Sequence, residues 1–387
     1  MKFVVCVPDG CADEPLDELD GRTPLEAAAM PNLAALARRG TVGRAAVIPP
    51  GMPPGSDVGN LSILGYDPAR YHTGRAPIEA AALGLRLAPD QVAFRCNLVT
   101  LGEDGTMRDF AGGHPSSEQA APVVAALQEA LGGDGLSFHA GVEYRHVLVA
   151  PAEWADARCV PPHDLSDKPA VWPEGPSAAR LRRLMEAAGP VVAKAGGAGG
   201  TATGVWLWGQ GTAPSLPPFA ERYGVTGALN TAVDLIRGLG VLAGLDVVEA
   251  DGVTAGYDTS YEAARDACLR TLADSTDLFV IHVEATDEAG HAGDLGEKVT
   301  ALERWDSRIL APLVDGLDAL GPWRLLLLPD HPTPVARKTH TSEPVPWLLV
   351  DSVEDGPGGA YTEPATAGCP VVPGHELMGR LVQHPAS

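Results

Sequence analysis

Residues 277–331, DLFVIHVEATDEAGHAGDLGEKVTALERWDSRILAPLVDGLDALGPWRLLLLPDH, decide the fold. DLFVIHVEA reads as a short apolar strand. GEKVTALERWDSRILAPLVDGL, residues 296–317, then spaces its apolar residues as a long amphipathic helix does. WRLLLLPDH returns as another strand. Nearly continuous apolar strands joined through a helix call for a parallel sheet covered on both faces. Both strands run into residues that bind hard cations, Asp287 and His291 after the first and Asp330 and His331 at the end of the second.

Outward from this block the rhythm continues. KFVVCVPDG, residues 2–10, is a further strand that breaks at Pro8-Asp9-Gly10. Thr23-Pro24 before LEAAAM reads as an N-cap with proline at the first helical position. A second helix runs from Pro31 to a stop at Gly40. The middle differs. From 85 to 190, short strands such as VAFRCNLVTL and EYRHVLVA are separated by polar and Gly/Pro-rich turns. AKAGGAGGTATG, residues 193–204, reads as a flexible return connection, after which WLWGQG resumes the strand and helix order. The expectation is an α/β core with a mainly parallel sheet flanked by helices, residues 1–84 and 191–387. An α+β domain, residues 85–190, is inserted in it.

Composition narrows the function. The 387 residues are 45% hydrophobic, which suits a sizeable core, and the formal charge of −22 argues against nucleic acid or an anionic membrane as partner. Six cysteines without a Cys-x-x-Cys pair read as reduced, buried thiols. With no signal peptide or membrane-spanning run, a soluble cytoplasmic protein is expected. An acidic protein that handles an anion must gather positive charge locally, through a few Arg and Lys or through bound cations.

Asp9, Asp287, His291, Asp330, His331 and His340 supply such cation ligands at strand ends and in the loop KTHTSEPVP. In open α/β sheets the ligand crevice lies beyond the carboxyl ends of the strands, so these residues can converge. Asp287 and His291, four apart, share one side of a helical turn. Mixed carboxylate and imidazole ligands suit Mn²⁺, Zn²⁺ or Co²⁺ better than Mg²⁺, which remains possible. Each residue also has a plain alternative: Asp9 or Asp287 as a helix cap, His331 as a core histidine.

Ser56, in PPGMPPGSDVGNLSILGYDP, follows a Gly/Pro bend and opens a helix, where an anion is favoured. It is either an N-cap or a nucleophile, and a serine hydroxyl needs a neighbouring cation to act as one. The glycine clusters match no phosphate-cradling lysine motif and read as hinges.

At these residues the chain resembles the cofactor-independent phosphoglycerate mutases of the archaeal-type branch, within the alkaline phosphatase superfamily. The likeness rests on VPDG, GSDVGNLSILGYDP, TGRAPIEA, EATDEAGH, PDH and THTSEPVP in the family's order. It implies two divalent ions: one on Asp9, Ser56, Asp330 and His331, the other on Asp287, His291 and His340. It further implies that Ser56 becomes phosphorylated while 3- and 2-phosphoglycerate interconvert, and that the inserted domain keeps water out. Candidate contacts for the small phosphorylated substrate are Asp57, Asn60, Arg75, Arg145, His146, His163, Asp164 and Lys338. Surface ion pairs are the alternative for Arg75 and Arg145, and Lys168 reads as solvated. One stretch departs from the family. MRDFAGGHPSS stands where archaeal mutases carry an arginine-rich DRRAGR-like segment, leaving Arg108, Asp109 and His114 nearby. That keeps open a homoserine kinase-type phosphotransferase on the same fold, or a non-enzymatic metal-binding relative.

Overall fold

The computed structural model describes residues 1–383. In chain order the strands are β1 (Lys2–Pro8), β2 (Thr41–Ala46), β3 (Gln91–Leu101), β4 (Met107–Asp109), β5 (Ser137–His139), β6 (Arg145–Pro151) and β7 (Gly204–Thr212). They continue as β8 (Gly227–Asn230), β9 (Asp246–Val247), β10 (Leu278–Val283), β11 (Trp323–Leu327), β12 (Val345–Asp351) and β13 (Val371–Pro373). Two compact units contain them: Met1–His72 with the chain from Leu216 onward, and Thr73–Ser215.

The first unit is built on an eight-stranded sheet of order β13-β2-β12-β11-β1-β10-β8-β9. Its centre is parallel, β1 lying between β10 and β11. Only β12 runs against its neighbours. Phe3 to Pro8 are all buried, as expected of a strand covered on both faces. Val4, Cys6, Phe279, Ile281, Leu325 and Leu327 share one apolar cluster with helix residues such as Leu302 and Ile309. Because β10, β1 and β11 are adjacent and parallel, their carboxyl ends fall on one edge, carrying Asp287, Asp9 and Asp330 to the same place. The cysteines are free thiols, four of them buried. No helix among the described residues is long and apolar enough to cross a membrane.

The second unit is an antiparallel sheet of order β4-β3-β6-β5, with β7 on the other side of β3. Helices Ser117–Leu131 and Ala178–Lys194 bury Val123, Leu127, Leu181 and Ala188 against Phe94, Cys96 and Leu148. Its limits differ from those expected. Residues 73–84 and 191–215 group with this unit because Ala76 and Ala80 of the helix Ala76–Ala82 pack on Ala93, Val147 and Val149, and β7 pairs with β3. WLWGQG is thus a strand of the second sheet. AKAGGAGGTATG is a turn within the unit, with Gly196, Gly197, Gly199 and Gly200 at positive φ, between the long helix and β7.

His146 in β6 is 2% exposed, and burial lowers its pKa to about 4. Its Nδ1 accepts the Gly141 N–H, so the ring sits in the fold as a neutral acceptor. Between the ordinary histidine value of about 6.5 and 4, the unfolded chain binds a proton that the folded chain refuses. Stability is therefore whole above the upper value and falls with pH through that window, by up to about 3 kcal/mol. His146→Asn keeps the acceptor and removes the titration. Urea unfolding at pH 7 and pH 5 should show a smaller acid loss in the variant than in the parent. Parallel losses would refute this.

Candidate active site

Three loops and one helix start meet at the carboxyl edge of β10, β1 and β11. Asp9 follows β1 directly, its N–H continuing the ladder to the Val283 carbonyl. The helix Ala285–Ala292 follows β10 and presents Asp287 and His291 one turn apart. Asp330 and His331 follow β11, and the same loop brings His340 back.

All three carboxylates are buried, Asp9 and Asp330 completely and Asp287 to 4% exposure. His331 Nε2 lies 3.6 Å from Asp9 Oδ1, 3.4 Å from Asp330 Oδ2 and 3.1 Å from Ser56 Oγ. Around Asp287, Oδ2 is 3.3 Å from His291 Nε2 and Oδ1 is 3.5 Å from His340 Nε2. The two imidazole nitrogens His291 Nε2 and His340 Nε2 stand only 2.8 Å apart.

Hydrogen bonding sets which nitrogens carry lone pairs. The Lys338 carbonyl can only accept, so His291 donates Nδ1–H to it at 3.1 Å and turns its Nε2 to the site. Thr333 does the same for His331. Its hydroxyl donates to Asp287 Oδ1, which leaves its oxygen to accept His331 Nδ1–H at 3.2 Å. Fixing the far nitrogen in this way is how proteins aim an imidazole lone pair at a cation.

Burial, together with Asp330 and Asp287, pushes the Asp9 carboxyl well above the ordinary carboxylate range. Burial also opposes charge on Asp287, but hydrogen bonds from His291 and His340 outweigh it and hold that group well below the range. Neither Asp9 oxygen has a hydrogen-bond partner, and His282 Nε2, 3.0 Å from Oδ2, lies off hydrogen-bond geometry. Buried carboxylates without partners are costly unless cations neutralise them. Asp9, Asp287 and His331 bring donor atoms within 4.8 Å of one another, and so do Asp287, His291 and His340. This oxygen and nitrogen set fits divalent cations.

Ser56 is the first residue of the helix Ser56–Ile63 and remains partly accessible. The helix is held against the ligand loop at two points. Asn60 Nδ2 donates to Asp330 Oδ2 at 2.7 Å and to the Ser56 carbonyl at 3.0 Å. Gly59 has no side chain to spare, since a Cβ there would meet the Asp330 carbonyl at 2.1 Å.

The family profile of 2,3-bisphosphoglycerate-independent phosphoglycerate mutase matches residues 37–195. The enzyme of that name from Methanothrix thermoacetophila is 44% identical, over 99% of this chain and all of its own. The chain belongs to that family.

Two solved structures share the mutase fold. A Pyrococcus horikoshii protein has a TM-score of 0.80 at 28% identity, covering 98% of this chain and 96% of its own. The cofactor-independent phosphoglycerate mutase of Thermoplasma acidophilum has a TM-score of 0.66 at 25% identity, covering 98% and 99%.

In this mutase Asp9, Ser56, Asp287, His291, Asp330, His331 and His340 come together. The expected substrate contacts divide. Asp57 is buried against His72, with Oδ2 2.8 Å from Nε2. Asn60 spends its amide on Asp330, and Lys338 meets the site through its carbonyl while its side chain is exposed.

Arg75, Arg145, His146, His163 and Asp164 belong to the second unit. Arg75 Nε lies 3.4 Å from Glu79 Oε1, and Arg145 stacks on Tyr144 at 5.6 Å. His163 meets the Trp208 ring at 5.3 Å, with Asp164 exposed beside it. His146 is a correction. Adjacent strand residues point to opposite faces, so Arg145 lies with Arg95 and Asn97 while His146 joins the helix-covered core. Arg95 escaped the sequence reading. It is 5% exposed, 2.9 Å from Glu79 Oε2 and 4.3 Å over the Trp208 ring, and burial lowers its pKa to about 10. A single arginine inside the apolar run VAFRCNLVTL was the available signal. Arg108 in the departing stretch is occupied by Asp104, 2.6 Å away.

Proposed function

We propose that this mutase interconverts 3- and 2-phosphoglycerate through a phosphoserine at Ser56. Asp9, Ser56, Asp330 and His331 would hold one divalent cation and Asp287, His291 and His340 a second, with Mn²⁺, Co²⁺ or Zn²⁺ preferred by the ligand set and Mg²⁺ possible. One observation carries the reading: a partly accessible serine hydroxyl stands 3.1 Å from His331 Nε2, at a helix start tied to a cluster of three buried carboxylates.

Bound cations supply the positive charge that activates a hydroxyl and shields a transferring phosphoryl group. The chain's own groups do the rest. Ser56 Oγ forms a bond to phosphorus as the substrate's C3 oxygen leaves. The C2 oxygen of the retained glycerate then takes the phosphoryl group back and frees Ser56. Asn60 keeps the helix start in register with Asp330, so nucleophile and ligand loop move as one body.

A homoserine kinase-type activity has less behind it, because the full-length relatives carry the mutase name. Purified protein given each divalent ion in turn, without 2,3-bisphosphoglycerate, should convert 3-phosphoglycerate in an enolase-coupled assay. No turnover across that panel would reject the proposal. Such an enzyme would act on a small phosphorylated metabolite in the cytoplasm.

A further inference from the structure

Behind the carboxylate cluster lies a lysine that the reaction does not use. Lys298, in the helix Leu295–Arg304, has a side chain with no solvent exposure, and so has its partner Asp13. Its Nζ donates to Asp13 Oδ2 and to the Thr333 carbonyl, both at 2.7 Å, and reaches the Ala12 carbonyl at 3.5 Å. Asp13 accepts the Val335 N–H at 3.1 Å as well. One ammonium thus joins its own helix to two loops that bear cation ligands. The loop after β1 carries Asp9 and the loop after β11 carries Asp330 and His331, while the lysine's own helix directly follows the helix Ala285–Ala292 that bears Asp287 and His291.

The joint falls on Thr333. Its N–H is shared between the Gly10 and Ala12 carbonyls, each at 3.2 Å. Its carbonyl is held by Lys298, while its hydroxyl orients Asp287 and His331. Packing around it leaves no slack: a Cβ on Gly10 would come 2.4 Å from the Thr333 hydroxyl, and one on Gly290 2.3 Å from its carbonyl. A buried ion pair adds little stability over apolar residues of like volume. Geometry is the stronger reason for this one.

We infer that Lys298 is a positioning residue of the catalytic centre, clipping the two ligand-bearing loops to its own helix so that Thr333 holds Asp287 and His331 in their coordinating orientation. The inference rests on the metal-dependent reading above.

Lys298→Met leaves Asp13 buried and unpaired, so it is paired with the double variant Asp13→Leu/Lys298→Met, which strands no charge. Metal-stripped proteins are titrated with Co²⁺ by calorimetry and by visible absorption, and apo folding is followed by circular dichroism. The double variant should keep the apo fold, bind Co²⁺ about 10- to 100-fold more weakly, and show an altered ligand-field spectrum. Parental affinity and spectrum in the folded double variant would overturn the inference. Loss of the apo fold in both variants would also overturn it, making the clip purely structural. A parent that binds no Co²⁺ would instead sink the metal-dependent reading, and this inference with it.

Discussion

Ser56→Ala is expected to lower kcat by roughly 10⁴-fold or more while leaving the fold intact. The hydroxyl has one close polar contact, to His331 Nε2, and alanine is well tolerated at the first position of a helix whose preceding glycine already lacks a side-chain cap. Removing Oγ therefore takes away the proposed phosphoryl acceptor and one proposed cation ligand, with little cost to the fold. The measurement pairs enolase-coupled turnover with mass spectrometry of protein quenched in the presence of 3-phosphoglycerate. The parent should carry phosphate on the peptide containing residue 56, and the variant should carry none. Substantial turnover in the variant would exclude a phosphoserine route at this position.

Asp287→Asn should have the next largest effect. This carboxylate is the meeting point of His291, His340, His331 and the Thr333 hydroxyl. Asparagine keeps its volume and removes its charge. Cation-mediated charge stabilisation is worth several kcal/mol, so kcat should fall by about 10³-fold. A direct ligand should also matter at least as much to affinity as an outer partner does, which predicts Mn²⁺ binding weaker by about 100-fold or more. At a fixed excess of Mn²⁺ that removes up to about 2.7 kcal/mol of cation-linked stability. Thermal melting with and without Mn²⁺ reads this directly: the upward shift seen in the parent should shrink in the variant. An undiminished shift would mean that Asp287 holds no cation.

The clustered carboxylates and imidazoles were legible because parallel strands bring them to one edge. A strand-helix-strand pattern makes parallel strands of one sheet, and parallel strands end on the same edge. Polar residues placed just after KFVVCVP, DLFVIHV and WRLLLL therefore had one destination. Local spacing added that Asp287 and His291 face one way. The helix start at Ser56 was equally local, written in the Gly/Pro bend before it.

Other parts depend on contacts that no local pattern encodes. Thr333 looks like any threonine in a loop until its hydroxyl is found between Asp287 and His331. Lys298 fits a charged position on an amphipathic helix, yet its ammonium is buried against Asp13, which lies 285 residues earlier in the chain. The unit boundary was misplaced for a similar reason. The small apolar face of Ala76 and Ala80 could cover either sheet, and only Ala93, Val147 and Val149 decide which. On β6, the sequence put Arg145 and His146 together as contacts, and only the packing of the two faces separates them.

By itself the sequence determined the kinds of element, the mainly parallel character of the first sheet, and the residues that reach its carboxyl edge. These follow from short-range periodicity and chirality, which act on every chain alike. Tertiary structure alone decided how those residues are held: which nitrogen of each histidine is free, which glycines let loops touch, and which buried ammonium joins them. Those outcomes depend on hydrogen bonds and close contacts between residues far apart in the chain, and such contacts exist only once the core has fixed their distances.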